Sequence, residues 1–348
     1  MLQTLELTNL RSYKSGLFEF SPAVNIIVGP NASGKTNLLE AIYMVAKGVA
    51  FKSDDRSMVR YDEEWARISA TFQDGHARSV KIVQHPFKKS FVFDDVEKFR
   101  FTERYALGVV LFEPMHMLLL SGEPDRRRAY IDELLAQTEI GYLQLLKDYK
   151  RTLLQRNRLL KNETIGPEHL FVWDVRLSDL GGKIVEKRLG LLEQLRIRLS
   201  QDYRSVSGNQ EVLGIEYDSK LPGEQYANAF LQGLTQSFAL DRMRGYTGTG
   251  PHRDDISISL NGASARESAS RGETRSIVLA LKIAELRLLE EKTGKKPLLL
   301  LDDVFSELDG KRRRTLANTL QNYQVFITTT DADVVIEHFS KTCNIIPL

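Results

Sequence analysis

Apolar and polar residues follow two different periods along this chain, and the period changes twice. Near the start, "LQTLELTNLRSY" and "GLFEFSPAVNIIVG" predict two strands, the second of them buried. In "GKTNLLEAIYMVAKG" the apolar residues fall at helical spacing, and Gly48 is a typical residue for the end of a helix. Residues 51–110 alternate strand-like runs with polar turns. The first part of the chain is therefore predicted to form sheets around one helix.

From about residue 115 to residue 240 the chain is rich in Leu, Arg, Glu and Gln with helical periodicity, which predicts a helical insertion. Strands return at "ISISLNGAS", where Asn261 and Gly262 are typical of a hairpin turn. A helix from about residue 271, the strand "PLLLLDD", another helix and the strand "YQVFITTTD" follow. Heptads are not sustained, so no long coiled coil is predicted. We expect an α/β domain of residues 1–112 and 245–348, interrupted by a mainly helical subdomain of residues 113–244.

Composition narrows the class of protein without identifying it. Of the 348 residues, 42% are hydrophobic, which is enough for a sizeable core. Lys and Arg total 48 against 46 Asp and Glu, so binding of nucleic acid would need a local basic patch. A single cysteine, Cys343, excludes an internal disulfide and fits a reducing compartment. Neither an apolar signal-peptide core nor a run of about 18 apolar residues occurs, so we expect a cytoplasmic protein.

"GPNASGKT", residues 29–36, matches the phosphate-loop pattern G-x-x-x-x-G-K-[ST]. Gly29 and Gly34 let the backbone curl so that its N–H groups face phosphates. Lys35 reaches the β- and γ-phosphates, and Thr36 offers its hydroxyl to Mg²⁺. A glycine turn before a helix is the alternative, but the apolar strand before the loop and the helix after it favour binding of ATP and Mg²⁺.

Two further motifs accompany the loop. In "LLLLDDVFSELD" a buried strand ends in two acids, of which Asp302 is the predicted Mg²⁺ ligand and Asp303 the predicted base or water-positioning acid. In "SASRGETRS", Ser270, Gly272 and Glu273 precede a strongly helical run. Alone, that second pattern is a common helix cap.

Between the other two motifs, "SASRGETRS" resembles the signature motif of ABC-type ATPases. That resemblance implies that Ser270, Gly272 and Glu273 cap the γ-phosphate held by a second molecule, and that the protein forms a homodimer with ATP. "SELD" looks like the D-loop of that family. Thr329 and Thr330 stand where transporter ATPases carry a switch histidine, and no glutamine begins "LFEP", so the chain departs from the transporter pattern.

The chain resembles the RecF family of SMC-like ABC ATPases nearly end to end. The segments that carry this resemblance are "NLRSY", "GPNASGKTNLLEAIY", "LFEP", "SGEPDRRRAYID", "YKRTLLQRNRLLK", "GTGPHRDD", "SRGETRSIVLALKIAE" and "LLLLDDVFSELD". The resemblance implies an ABC-type P-loop ATPase head with a mixed sheet and a helical inserted subdomain. It also implies ATP-dependent dimerisation, slow ATP hydrolysis stimulated by DNA, and binding of DNA at gaps or single-strand/double-strand junctions. Cooperation with RecR, and with RecO, in loading RecA is the remaining implication.

The predicted site residues fall into three groups. The catalytic residues are Asp303 and Lys35, and the metal ligands are Thr36 and Asp302. The nucleotide-binding residues are Arg11, Gly29, Pro30, Asn31, Ala32, Ser33, Gly34, Lys35, Thr36, Asn37, Ser270, Gly272 and Glu273. Arg11 is included because a basic residue near this position approaches the nucleotide in SMC-like relatives.

The segment "LQLLKDYKRTLLQRNRLLK" contains six basic residues and one acid. At about 100° per residue, five of them share one arc of the helix: Lys147, Lys150, Arg151, Arg158 and Lys161. This arc is either a solvated helix face or a surface that follows DNA phosphates. "DRRRA" either adds to it or pairs with nearby acids, and the roles of His252 and Arg253 stay open.

The main alternative is another soluble ABC or SMC-like ATPase. A transporter subunit is opposed by the missing glutamine and histidine. A nuclease of the OLD type would need more chain after "TDAD", and an SMC structural protein would need a longer insert.

Overall fold

A computed structural model describes residues 1–162, 164, 166–339 and 343–348. The chain forms two compact units, which we call the head unit and the insert unit. The head unit contains Met1–His116, Ser205–Ser207 and Glu285–Leu348, and the insert unit contains Met117–Arg204 and Gly208–Ala284. Within the described ranges, no helix combines the length and the apolar character that crossing a membrane requires.

In chain order, the described strands are β1 (Leu2–Leu10), β2 (Tyr13–Glu19), β3 (Val24–Val28), β4 (Trp65–Phe72), β5 (Ala77–Val83), β6 (Lys88–Phe93), β7 (Val96–Lys98), β8 (Val109–Phe112), β9 (Leu213–Asp218), β10 (Asp255–Leu260), β11 (Ala263–Ser264), β12 (Leu298–Asp302), β13 (Val325–Thr329) and β14 (Cys343–Pro347). The described helices are α1 (Lys35–Lys47), α2 (Leu118–Ser121), α3 (Pro124–Thr138), α4 (Tyr142–Leu160), α5 (Pro167–Ser207), α6 (Tyr226–Gln236), α7 (Phe238–Arg244), α8 (Ala265–Ser268), α9 (Arg271–Thr293), α10 (Gly310–Leu320) and α11 (Asp333–Phe339).

The head unit has an antiparallel sheet in the order β2-β1-β4-β5-β6-β7. Residues alternate between its two faces, as in β4, where Ala66 and Ile68 are buried while Trp65 and Arg67 are exposed. This alternation is typical of an antiparallel sheet with one face on the core and one in solvent.

The second sheet of the head unit is parallel, in the order β14-β3-β13-β12-β8. Its central strands are buried along nearly their whole length, because both faces of the sheet are covered. Parallel strands end at the same edge, so this sheet brings the ends of β3, β12 and β13 together. The loop after β3 and the two acids at the end of β12, Asp302 and Asp303, lie at that edge.

Helix α1 packs against both sheets. Its residues Leu38 and Ile42 share one core with Leu5 and Ile68 of the antiparallel sheet and with Phe326 of the parallel sheet. It ends as predicted at Gly48, which takes a left-handed conformation with φ of 74°. One detail differs from the prediction, because the segment expected to be a single second strand contains the end of β2 and all of β3.

The insert unit combines helices with a small sheet in the order β11-β10-β9. Asn261 and Gly262, with φ of 51° and 81°, form the predicted two-residue hairpin turn, since Leu260 lies opposite Ala263. Strand β9 was not predicted, because it lies in a stretch of helical composition. Since β10 pairs with β9, residues 245–284 belong to the insert unit rather than to the first domain expected from the sequence.

Helix α5 is 41 residues long and carries two adjacent glycines. A Cβ at Gly181 would lie 2.9 Å from the ring of Phe230, and one at Gly182 would lie 2.8 Å from the Cβ of Ala227. Both contacts are with α6, so the two glycines let these helices approach closely.

Candidate functional site

The loop of residues 29–36 connects β3 to α1 and has a backbone that two glycines make possible. Gly34 has φ of 104°, and a Cβ there would lie 2.6 Å from Ser12 Oγ. A Cβ at Gly29 would lie 2.7 Å from Ser33 Oγ and 2.9 Å from the carbonyl oxygen of Leu348. Ala32 also has a positive φ, of 66°. A side chain at either glycine would therefore deform the loop.

Lys35 is buried and its ammonium lies against the loop backbone. Its Nζ donates hydrogen bonds to the carbonyl oxygens of Gly29 at 2.7 Å and Pro30 at 2.8 Å. The hydroxyl of Ser33 is buried and has no partner among the described residues. Phosphate oxygens accept hydrogen bonds from ammonium groups, from hydroxyls and from the N–H groups of a curled backbone. The loop offers all three kinds of donor, so it fits a nucleotide.

Thr36 and Asp302, 266 positions apart in the sequence, meet at the edge of the parallel sheet. The hydroxyl of Thr36 donates to the Asp302 carboxylate, with Oγ1 2.9 Å from Oδ1 and 3.0 Å from Oδ2. Asp302 is buried. A hydroxyl beside a carboxylate is an oxygen donor set that Mg²⁺ takes, alongside phosphate oxygens and water. Among the described residues, no group of three or more His, Cys, Asp and Glu side chains forms a denser metal cluster.

Thr328 links the two acids that end β12. Its hydroxyl donates to Asp302 Oδ1 at 2.8 Å and accepts a hydrogen bond from the backbone N–H of Asp303 at 2.9 Å. Asp303 is exposed and has φ of 53°. Ser306 Oγ lies 3.0 Å from Asp303 Oδ1. Thr328 was not among the residues predicted from the sequence, although it lies opposite Asp302 in the register of β12 and β13.

The hairpin between β1 and β2 supports the loop from one side. Asn37 donates to Ser12 Oγ at 2.9 Å, and the phenol of Tyr13 donates to the carbonyl oxygen of Gly34 at 3.0 Å. Burial raises the pKa of Tyr13 to about 12, so the phenol remains a donor at neutral pH. Ser12 and Tyr13 were not among the predicted site residues, because their contact with the loop is tertiary.

Arg11 lies beside α1. Its Nη2 donates to Glu40 Oε2 at 3.0 Å and also contacts the hydroxyl of Ser53. Glu40 is one helical turn beyond Thr36 and is buried. The guanidinium is thus held by a buried carboxylate on the same helix that begins with Lys35 and Thr36.

Ser270 and Glu273 form a reciprocal cap at the start of α9. The N–H of Ser270 donates to Glu273 Oε2 at 2.7 Å, and the N–H of Glu273 donates to Ser270 Oγ at 3.3 Å. The hydrogen bonds with Ser270 lower the pKa of Glu273. Ser270 is exposed and Gly272 is half-buried. The motif therefore caps its helix and still presents the serine to solvent.

The basic arc of α4, which we call the α4 basic face, is exposed at all five positions: Lys147, Lys150, Arg151, Arg158 and Lys161. Within the part of the chain that the structure describes, none of the five forms an ion pair. The opposite side of α4 packs through Leu145, Leu146, Tyr149 and Leu153 on the core of the insert unit. Leu154, which lies outside this packed side, is exposed.

The sixth basic residue of this helix, Arg156, is completely buried. Its guanidinium pairs with Asp174 at 2.6 Å and Asp241 at 2.8 Å, and donates to Thr247 Oγ1 at 2.8 Å. Burial raises the pKa of Asp174. Arg156 therefore anchors α4 to α5 and α7.

"GPHRDD" and "DRRRA" each place some of their polar side chains in the interior, among them His252 and Arg127. His252 accepts from the phenol of Tyr149 at 2.7 Å and donates to the carbonyl oxygen of Thr247 at 3.1 Å, and burial lowers its pKa to about 4. Arg127 pairs with Asp255 at 2.8 Å. Of the two residues left open in "GPHRDD", His252 lies in this buried network, while the Arg253 guanidinium stacks over a tyrosine ring at 5.0 Å.

Comparison with known proteins agrees with this architecture. The family model for the RecF/RecN/SMC N-terminal domain matches residues 1–346. The DNA replication and repair protein RecF of Acaryochloris marina is 35% identical over 346 residues, covering 94% of this chain and 92% of the relative. The chain belongs to the RecF family. The RecF of Citrifermentans bemidjiense is 38% identical over 339 residues, covering 94% of this chain and 92% of that protein.

Solved RecF structures match the fold over its length. The recombination mediator protein RecF-ATPrS in the RecFOR pathway superposes with a TM-score of 0.89 at 31% identity, covering 99% of this chain and 96% of that one. RecF-ATP gives a TM-score of 0.85 at 33% identity, covering 95% and 92%. An SMC head at 16% identity and a TM-score of 0.57, covering 99% and 93%, shares the fold. The predicted ABC-type ATPase head with a helical insertion and the resemblance to the RecF family are confirmed.

Proposed function

We propose that this protein is an ATP-dependent, DNA-binding recombination mediator of the cytoplasm. It binds ATP with Mg²⁺, dimerises on gapped or junction DNA, hydrolyses ATP slowly under stimulation by DNA, and acts with RecR and RecO in loading RecA. Membership of the RecF family supports this proposal, since relatives are DNA replication and repair proteins and two matching structures are RecF with ATP or an ATP analogue.

The hydrogen bond between Thr36 and Asp302 is the observation that most directly supports the proposed binding of ATP with Mg²⁺. The loop residues Gly29 to Asn37 hold the phosphates through backbone N–H groups, and Lys35 leaves its two carbonyl partners for phosphate oxygens. Thr36 and Asp302 hold Mg²⁺, which neutralises phosphate charge when bound. Asp303, exposed beside this pair, orients the attacking water and accepts its proton. Arg11, which pairs with Glu40 on α1, is the remaining proposed nucleotide-binding residue.

A second copy completes the site. The exposed hydroxyl of Ser270, the backbone at Gly272 and the positive end of α9 form a surface suited to an anion, and Glu273 fixes the serine. In this proposal Ser270 of one molecule meets the γ-phosphate bound by the loop of another. ATP then holds the homodimer together, and hydrolysis releases it.

Ser270→Arg tests this arrangement. The variant should bind ATP with unchanged affinity, because its own loop is untouched, but should remain monomeric with ATP in analytical ultracentrifugation. The matched control is Ser268→Arg at another exposed serine two residues earlier, which should dimerise like the wild type. Normal dimerisation of the Ser270 variant would mean that the motif is only a helix cap.

A mixing experiment separates the two halves of the site. Lys35→Ala should lower ATP affinity at least tenfold, since it removes the cation from the loop. A mixture of this variant with Ser270→Arg contains at most one intact composite site per heterodimer. It should therefore yield at most a weak heterodimer with ATP.

The α4 basic face is the proposed DNA surface. Its five cations are exposed on one side of one helix, and none of them forms an ion pair within the described residues. Such a row of cations fits a row of phosphates. Reversing Lys147, Lys150 and Arg151 to Glu should weaken binding of duplex DNA with little dependence on sequence. The slope of log affinity against log salt should flatten by about one unit per lost contact.

The control for this triple variant reverses three exposed lysines elsewhere, Lys220, Lys292 and Lys295, which keeps the change in net charge equal. If both triple variants weaken DNA binding equally, the effect is one of overall charge and the α4 basic face is only solvated.

A further inference from the structure

The solvent face of the antiparallel sheet carries a basic and aromatic surface that the functions above do not use. It consists of Trp65 and Arg67 on β4, Lys81 on β5, Lys88 on β6 and Phe99 just after β7, all exposed. We call these five residues the sheet patch. All of them belong to the head unit.

The sheet register places like charges side by side in the patch. Arg67 lies directly opposite Lys81 in the antiparallel pair of β4 and β5. Like charges directly opposite each other destabilise a sheet. The outward-facing carboxylates Glu6 and Glu97 lie in the next row, since Glu6 is opposite Ser69 and Glu97 is opposite Val92.

No ion pair involves Arg67, Lys81 or Lys88 in the described part of the chain. The sheet thus tolerates an unfavourable arrangement without a compensating acid. Such an arrangement is explained if the acid comes from a ligand.

Exposed aromatic rings lie against these cations. The ammonium of Lys81 is 5.4 Å from the ring centroid of Trp65, and that of Lys88 is 4.7 Å from the ring centroid of Phe99. Trp65 and Lys88 both lie opposite Val83, so they flank it on the same face. Two ring-and-cation pairs therefore occupy neighbouring positions at one end of the sheet.

We propose that the sheet patch binds single-stranded DNA, with bases stacked on Trp65 and Phe99 and phosphates held by Arg67, Lys81 and Lys88. An unpaired nucleotide offers one flat base and one negative charge, which matches a ring beside a cation. In a duplex the faces of the bases are stacked on one another, so they cannot stack on the rings of Trp65 and Phe99. This inference rests on the proposed function in taking DNA as the ligand, but it uses a surface separate from the α4 basic face.

Fluorescence gives a direct test, because the chain has only two tryptophans. In Trp173→Phe, Trp65 is the remaining one. Titration of this full-length variant with an oligothymidylate of about 12 nucleotides, with ATP and Mg²⁺ present, should quench its emission as bases stack on the ring. A blunt duplex of the same length should quench it far less.

Substitutions extend the test to affinity. Phe99→Ala and Lys81→Glu should each weaken oligothymidylate binding about tenfold, while duplex binding stays unchanged. Lys81→Glu also places a carboxylate opposite Arg67, so the protein should be at least as resistant to thermal unfolding as the wild type. Lys220→Glu, with the same change of charge on the insert unit, should leave oligothymidylate affinity unchanged.

The possible results separate a failure of the sheet patch as a binding site from a failure of the proposed function. If the wild type binds the oligothymidylate but Trp65 is not quenched and Lys81→Glu binds equally well, the sheet patch is not the site, and the proposed function stands. If the wild type binds neither single-stranded nor duplex DNA, the proposed function itself fails.

Discussion

Thr328→Val isolates the contribution of one hydroxyl to the proposed Mg²⁺ site. Thr328 is fully buried, and valine has nearly the same shape, so the change removes the two hydrogen bonds of this hydroxyl that are shorter than 3 Å, and little packing. One is the bond to the Asp302 carboxylate at 2.8 Å, and the other is the bond from the Asp303 N–H at 2.9 Å.

The expected magnitude follows from those two bonds. A hydrogen bond to a charged group contributes about 1.5 to 3 kcal/mol, and an unsatisfied N–H costs about 1 kcal/mol or more. Because Thr36 still donates to the same carboxylate, we expect a loss of unfolding free energy near the lower end of the sum of the two terms, about 2.5 kcal/mol. Partners that orient a metal ligand typically change metal affinity or activity by about 10- to 100-fold. The ATPase rate at limiting Mg²⁺ should fall by about that factor.

Two measurements check this expectation: a denaturant titration of the nucleotide-free protein, and ATPase rates over a range of Mg²⁺ concentrations. Thr328→Ser keeps the hydroxyl and is the matched control, which should retain most of the activity. A Thr328→Val protein with unchanged stability and unchanged Mg²⁺ dependence would refute the role of this residue, as would a serine variant that behaves like the valine one.

Two further predictions follow from charges in different environments. Asp303→Asn should leave binding of ATP and Mg²⁺ largely intact, slow hydrolysis and prolong the ATP-bound dimer, whereas lost nucleotide binding would show that the roles of Asp302 and Asp303 are reversed. Arg156→Met should destabilise the protein by about 3 to 5 kcal/mol at pH 7, because Asp174 and Asp241 lose their buried cation. Without Arg156 the pKa of Asp174 rises further in the folded state, so this acid takes up a proton, and the deficit measured by denaturant titration should shrink as pH falls from 7 toward 5. A deficit independent of pH would contradict this account.

The sequence was sufficient for the parts of the candidate site that are local. The loop and Asp302 are recognisable because each motif lies within a few residues of the strand that positions it. The cap formed by Ser270 and Glu273 is likewise a matter of spacing. Thr328 and Tyr13 could not be found this way, since their contacts depend on strand register and on a hairpin folding back over the loop.

The fold, too, was predictable only where the sequence pattern is local. Helix α1 and the buried strands followed from periodicity, whereas β9 was hidden by the helical composition around it. The position of Arg156 on α4 separated it from the exposed arc, but its partners lie on α5 and α7, 18 and 85 residues away. Periodicity reports which side of a helix is buried and does not report what lies there.

Helix α1 is enclosed by both sheets, and this packing limits the conformational changes that are open to the head unit. A close-packed helix with neighbours on nearly every side cannot slide or rotate without opening the core. Its backbone amides should be among the slowest in the molecule to exchange with solvent deuterium. The loop of residues 29–36, which leads into α1, is thus attached to a fixed helix and does not move as a hinged lid. In the proposed ATP cycle, we therefore expect α1 and the loop before it to stay fixed within the head unit while a second molecule binds and leaves.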